Sequence, residues 1–282
     1  MENSVVEFVR SHPTRHVACP ACARDEFEKA TERAGFVMVR CKSCGTIFLE
    51  QQPAERVLLD LYRNFPSYTS GREGWPDYDI SEGEREAEYR LDRLLGFMRG
   101  GRLLDIGFGR GDFVRAASRF FTVWGVDLSP RVDTKINDFT VFTGTVEDAP
   151  FQPGSFAVVS AVEVLEHLAD PQRALESIHR LLEPDGKLVV QTGDADTFLA
   201  KLNLHAWQYI RPPVHLTAFT RRGLRTLLRR SGFQIVQSWS FGRAVDRIAI
   251  VNSLEARRLV RPALDAAARI GLIGQLHVAV RV

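Results

Sequence analysis

No cysteine follows Cys44: all four in this 282-residue chain fall between positions 19 and 44. That absence excludes a disulfide framework spread over the fold. Clustering of this kind in a reducing compartment points to a metal more than to disulfides. No run of 18 or more apolar residues occurs, so no helix of ordinary length would cross a membrane. The first ten residues mix charged and apolar side chains and lack a leader's apolar core, which places the chain in the cytoplasm by expectation. Lysine is missing from the C-terminal stretch. Residues 211–282 hold thirteen arginines and three acids, a balance of +10 against −8 for the rest. Such a stretch suits an anionic substrate, nucleic acid or an acidic membrane surface, or it is simply a solvated arginine-rich face. Hydrophobic residues at 45% and charged residues at 26% describe a soluble globular chain. Its length allows one sizeable α/β domain and a small accessory module.

The accessory module comes first. Cys19-Pro20-Ala21-Cys22 and Cys41-Lys42-Ser43-Cys44-Gly45 are two CxxC knuckles separated by eighteen residues, a spacing that fits a four-cysteine zinc ribbon. Zinc prefers four thiolates in a tetrahedron, and a two-residue gap lets one tight turn aim both sulfurs at the ion. Gly45 stands where a left-handed backbone would be needed. Phe36 and Met38 alternate with Val37 and Val39 as in a strand. A module this small buries little core, so metal would supply its folding energy, and four protein ligands make the zinc structural. Unmetallated thiols or a redox pair are the other readings. After Pro53, Leu58, Leu59, Leu61 and Tyr62 suggest a short helix. Pro66 to Glu84 reads as a loop, with Tyr68, Trp75 and Tyr78 placed to pack on the main domain or roof a site. Glu84 to Met98 reads as a helix with Ala87, Leu91, Leu94 and Leu95 on one face, ended by Gly100-Gly101.

Strands and helices then alternate, as a parallel sheet covered on both faces requires. Arg102–Ile106 is a strand, followed at once by Gly107-Phe108-Gly109-Arg110-Gly111 and a helix from Asp112. A glycine turn between strand and helix lets a ligand approach the backbone. Alone it would suit a nicotinamide dinucleotide equally well. That fingerprint, however, wants Gly or Ala where Asp112 stands. Asp105, just before the turn, would repel a pyrophosphate and suits an ammonium, as in the methionine end of S-adenosylmethionine. Asp127 ends the second strand, Thr122–Asp127, and an acid there accepts ribose hydroxyls; capping the segment from Ser129 is the alternative. Leu128 follows and can lie against an adenine. The third strand is Thr140–Thr143. The fourth, Phe156–Val162, is apolar throughout, as a strand buried on both faces should be. Asp170 and Pro171 start a helix with the stripe Ala174, Leu175, Ile178, Leu181 and Leu182. Pro184-Asp185-Gly186 ends it, and Lys187–Thr192 is the fifth strand. Thr220 caps a further helix, Phe219 and Leu224 forming a hydrophobic staple. Phe233–Trp239 and Leu276–Val282 are the last strands, with a helix over 253–270 kinked at Pro262 between them.

Leu103-Leu104-Asp105-Ile106-Gly107-Phe108-Gly109-Arg110-Gly111 resembles the first motif of class I methyltransferases. Val164-Leu165-Glu166-His167-Leu168, then Leu181-Leu182-Glu183-Pro184-Asp185-Gly186, resembles a stretch of the type 11, 12 and 23 methyltransferases. A ribbon ahead of such a core resembles a bacterial subgroup associated with cell-surface glycans and secondary metabolites. The resemblance implies a Rossmann-like, doubly wound, seven-stranded α/β sheet, mostly parallel with the last strand antiparallel. It also implies three parts: a zinc ribbon over 1–52, a helical and loop connector over 53–100, and the methyltransferase domain over 101–282. The implied cofactor is S-adenosylmethionine, held by Asp105, Gly107, Gly109, Gly111, Asp127, Leu128, Thr145, Val146 and Ala161. Two positions depart from the family. Thr145 stands where an acid usually meets the adenine amino group, leaving more to the backbone near Val146. Ala157 replaces an acid of mostly structural role.

Methyl transfer from a sulfonium needs alignment and, for a hydroxyl or amine, a base. His215 and His167 are the candidates. His167 could instead hold the loop after the fourth strand, and His215 could orient a lid around Trp207. The expected reaction is O- or N-methylation of a small molecule: a sugar, a nucleotide-sugar or a natural-product intermediate, an anionic one being compatible with the arginines. An RNA methyltransferase is a second reading, although Asp25, Glu26 and Glu28 offset Arg24 and Lys29 on the ribbon. A non-catalytic protein that binds S-adenosylmethionine and docks a partner through its ribbon is the third.

Overall fold

The computed structural model describes residues 2–65, 80–128, 139–241 and 274–282. The expectations for Tyr68, Trp75 and Tyr78, for residues 129–138 and for the kinked helix over 253–270 lie outside these.

The chain opens with helix α1 (Glu2–Arg10), which sequence reading did not anticipate; Val5 and Val9, one turn apart, are buried. Strands β1 (Thr14–His16) and β5 (Gln51–Pro53) pair antiparallel and close the ribbon on itself. Between them run β2 (Phe27–Arg33), β3 (Phe36–Cys41) and β4 (Ile47–Leu49), an antiparallel meander. Helix α2 (Glu55–Asn64) follows, burying Val57, Leu58 and Leu61, and then α3 (Ile80–Leu95).

The main sheet comprises β6 (Arg102–Ile106), β7 (Thr122–Asp127), β8 (Thr140–Thr143), β9 (Phe156–Val162), β10 (Leu182–Gly193), β12 (Phe233–Phe241) and β13 (Gly274–Arg281). Their order is β12-β13-β10-β9-β6-β7-β8, seven strands. β8, β7, β6, β9 and β10 are mutually parallel, and β13 lies antiparallel between β10 and β12. This is the expected doubly wound topology. Helices α4 (Asp112–Ala117), α5 (Pro171–Leu181), α6 (Phe198–Leu202) and α7 (Arg221–Arg230) connect the strands, with β11 (Thr217–Ala218) just before α7. Asp170 caps α5 by accepting Arg173 N at 3.0 Å, and Thr220 caps α7 by accepting Gly223 N at 2.9 Å. α5 stops at Leu181, ahead of Pro184, because Leu182 already enters β10 beside Phe156. Among the described residues no helix is long and apolar enough to cross a membrane.

The ribbon is joined to this sheet domain rather than tethered to it. β11 pairs antiparallel with β4, Thr217 opposite Phe48 and Ala218 opposite Ile47, so the ribbon meander becomes a four-stranded sheet. One buried cluster combines Phe36, Met38, Ile47 and Leu49 with Trp207, Tyr209, Ile210, Val214 and Leu216. The turn after the second knuckle presses on the start of α7. Thr220 Oγ1 donates to Cys44 O at 2.7 Å, and Gly223 leaves no room for a side chain beside Thr46. A Cβ built on Gly223 would lie 1.9 Å from Thr46 Oγ1. Gly223→Ala should therefore cost ~1–3 kcal/mol in urea denaturation despite alanine's better helix propensity. Thr46→Ala in the same chain should recover part of that loss. A stability unchanged by Gly223→Ala would show that the contact is not close.

Candidate active site

A cleft of about 610 Å³ opens at the carboxyl ends of β6, β7, β8 and β9, where open α/β sheets bind ligands. Its first half is built from the glycine turn. Gly107, Gly109 and Gly111 have φ of 64°, 53° and 77°, a region that side chains disfavour. Gly107 N donates to Val126 O at 2.7 Å, extending the ladder past β6. Gly109 N donates to Asp127 Oδ2 at 3.1 Å, which fixes that carboxylate at the turn. Asp105 is 3% exposed and accepts Ser160 Oγ at 2.6 Å; burial pushes its carboxyl up to about 7. Arg90 of α3 lies near it, buried, donating to Gln191 Oε1 and Glu86 Oε2, each at 2.7 Å.

Eight of the nine expected cofactor residues line this cleft: Asp105, Gly107, Gly109, Asp127, Leu128, Thr145, Val146 and Ala161. Gly111 stands behind it, capping α4 with its left-handed backbone. The Thr145 hydroxyl is engaged locally, donating to Asp148 Oδ2 at 2.9 Å and accepting Asp148 N at 3.3 Å.

The second half holds both histidines. Their rings meet edge to face, centroids 4.6 Å apart. His215 Nδ1 lies 3.1 Å from Tyr209 O, and His167 Nδ1 lies 3.1 Å from Val214 O. A carbonyl can only accept, so each Nδ1 carries a hydrogen. Burial pushes His167 down to about 4, leaving it neutral at physiological pH. Tyr209 donates to Glu163 Oε2 at 2.7 Å, and Gln191 Nε2 donates to the other oxygen at 3.1 Å. Glu163 itself has φ of 56°. Leu58, Leu59 and Tyr62 of α2 and Arg211 complete the wall.

Arg90 and Glu163 went unmarked in sequence; Tyr62 was read only as part of a short helix, and Tyr209 and Arg211 only as part of the 202–213 segment over the ligand edge of the sheet. Of the unmarked two, only Arg90 left a signal: it sits on the apolar stripe of α3, between Ala87 and Leu94, where a solvated arginine does not belong. Glu166 also surprises. It is fully buried, and neither carboxyl oxygen has a hydrogen-bond partner among the described residues. Burial, then the neighbouring Glu163, holds its carboxyl well above the usual range.

Away from the cleft, the Sγ atoms of Cys19, Cys22, Cys41 and Cys44 lie within 4.8 Å of one another. Cys19–Cys44 and Cys22–Cys41 are each 3.5 Å apart. Zinc–sulfur bonds of about 2.3 Å imply edges of about 3.8 Å, so the donor set and its spacing suit a tetrahedral ion.

A family model described as a methyltransferase domain matches residues 80–238, more than half of the chain. The chain belongs to the class I methyltransferase family, whose cofactor is S-adenosylmethionine. Over 115 residues it is 35% identical to a ubiquinone biosynthesis O-methyltransferase of Xanthomonas euvesicatoria, spanning 37% of this chain and 47% of that one. It is 32% identical over 131 residues to an uncharacterized protein of Methanocaldococcus jannaschii, spanning 45% and 62% of the two. The chain thus spans about half the length of these curated relatives. Among solved structures, the Burkholderia thailandensis 1,6-didemethyltoxoflavin-N1-methyltransferase, with 1,6-didemethyltoxoflavin and S-adenosylhomocysteine bound, superposes with a TM-score of 0.55. That match is at 20% identity and covers 90% of this chain and 99% of the other, a likeness of fold.

The orphaned acid yields a test. A carboxyl whose folded pKa is raised must take up a proton on folding once the unfolded chain is ionised, so its cost grows as pH rises above the ordinary glutamate range. Glu166→Gln should raise the Tm of the chain, by more at pH 8 than at pH 5. An equal change at both pH values would show the acid to be ionised in the fold.

Proposed function

We propose that the chain transfers the methyl group of S-adenosylmethionine to a hydroxyl or amine of a small molecule, a sugar, nucleotide-sugar or natural-product intermediate. The observation that carries this is the division of one cleft. A carboxylate- and glycine-lined half suits a cationic nucleoside, and it faces a half with two histidines. Asp105 and Arg90 present opposite charges at one end, which suits the amino-acid zwitterion of the cofactor. Asp127, held by Gly109 N, takes the ribose hydroxyls; Leu128, Val146 and Ala161 flank the base and sugar. The bound cofactor supplies an electrophilic methyl on a sulfonium.

The chain's own residues do the rest. Tyr62, Tyr209 and the two imidazoles form a partly aromatic wall that orients the acceptor and displaces water. His215 would take the proton that the acceptor's hydroxyl or amine gives up when it is methylated. His167 is the poorer base because burial holds it near 4, and it braces His215 edge to face. Arg211 gives an anionic acceptor a counter-charge.

The small-molecule reading gains from where the basic stretch goes. Among its described arginines, Arg211 alone lines the cleft. Arg221 is paired with Asp194, Arg230 donates to Ala21 O and Arg281 to Leu182 O. An RNA track of phosphate contacts at the cleft mouth gets no support from these.

Titration calorimetry should show S-adenosylmethionine binding, weakened about 10- to 100-fold by Asp127→Ala. With Asp105 near 7 in the free chain, affinity should climb as pH rises through about 7, with proton release to the buffer, and Asp105→Asn should flatten that slope. No binding by the wild-type chain, or tighter binding of a nicotinamide dinucleotide, would overturn the cofactor reading. With an acceptor in hand, His215→Asn should lower turnover about 10²–10⁴-fold at unchanged cofactor affinity. A change within about threefold would remove the base role and leave alignment to carry the reaction. Absence of turnover with any acceptor would favour the non-catalytic reading.

A further inference from the structure

The segment 203–218 carries Tyr209, Arg211 and His215, and part of its backbone is held by the N-terminal module. Arg33 at the end of β2 donates through Nη1 to Ile210 O at 2.8 Å and His205 O at 3.4 Å, bracketing Trp207 and Tyr209. Leu49 N donates to Leu216 O at 2.8 Å, and β4 pairs with Thr217 and Ala218. Trp207, Tyr209, Ile210, Val214 and Leu216 bury their side chains against Phe36, Met38, Ile47 and Leu49. The four cysteines sit on the same lever. Cys41 ends β3 and Cys44 is three residues before β4; Cys41 N donates to Thr46 O and Gly45 N to Cys41 O, each at 2.9 Å. Whatever fixes the Cys41–Cys44 turn therefore fixes the strand on which β11 is zipped. The glycine turn, Asp105 and Asp127 hang from β6 and β7 and take none of these contacts.

We propose that the ribbon is a positioning element of the acceptor site: Arg33 and the cysteine-anchored strand β4 set the geometry of Tyr209, Arg211 and His215 while leaving cofactor binding alone. This rests on the division of the cleft argued above, and metal occupancy at the cysteines becomes a way to tune acceptor use. Zinc fits the cysteine set and would hold the β3–β4 turn.

Hydrogen–deuterium exchange on the full chain tests this without an acceptor, alongside calorimetry with S-adenosylhomocysteine as probe. Wild-type chain must first bind the probe; failure there defeats the cofactor reading, not this one. Elemental analysis should give about one zinc per chain, as one four-thiolate site requires. Arg33→Met removes both backbone contacts and keeps the cysteines. It should speed exchange over 203–218 by about fivefold or more, the scale of one lost hydrogen bond. Exchange over 103–127 and probe affinity should stay within about twofold, since distant sites act independently. Arg33→Lys should restore part of the protection. Stripping the metal with a chelator should open the same segment with the same sparing of 103–127. Protection of 203–218 unchanged in both arms would overturn the proposal. So would loss of probe affinity in step with the exchange, because the ribbon would then only support the whole fold. A chain that holds no metal but still responds to Arg33→Met sustains the positioning role and removes the metal's part in it.

Discussion

The peptide of Leu216 is bonded on both sides, and the acceptor half of the cleft depends on it. Its N–H donates to Glu166 O at 2.8 Å, in the loop after β9, and its carbonyl accepts Leu49 N at 2.8 Å, in the ribbon. Two pieces of chain far apart in sequence are thus held through one residue, next to His215. Buried backbone groups of this kind have no water to fall back on, so the bonds tolerate little slippage. The parallel sheet sets the cofactor half by its own ladder. The acceptor half is instead a lamina between sheet and ribbon, and its shape belongs to neither alone.

Burial governs the chemistry of this lamina as much as distance does. Desolvation keeps His167 neutral, moves Asp105 to about 7 and keeps Glu166 from ionising readily. A positive sulfonium cofactor would enter a cleft with fewer full negative charges than the count of acids suggests. Asp127, at the end of its strand, is bonded to a backbone N–H.

Much of this was legible from residue order. The glycine turn, the acids at the ends of β6 and β7, the apolar β9 and the capped helices α5 and α7 each follow from a local rule, and local rules show in sequence. The two knuckles were equally plain, because two-residue spacing has few other uses. Helix α1 was not, since a nine-residue helix with two buried valines leaves a weak periodic signal. The joining of ribbon to sheet was also hidden: β11 is two residues long, and its partner strand lies some 170 positions earlier. Arg33, whose partners are carbonyls, could not be told from any other exposed-strand arginine. The bond between Tyr209 and Glu163 escaped for the same reason; it is made by tertiary approach and written in no motif.

The shared cluster of Trp207, Tyr209, Ile210, Val214 and Leu216 against the ribbon has a consequence for how the chain could be shortened. A fragment starting after the ribbon would keep every strand of the large sheet. It would also present to water a contiguous patch of large apolar side chains beside the two-residue strand β11, now with an unpaired edge. Such a surface invites self-association through strand addition, and the fragment would tend toward aggregation even with its cofactor half intact. In this protein the small four-cysteine module doubles as the cover of a hydrophobic surface on the larger domain.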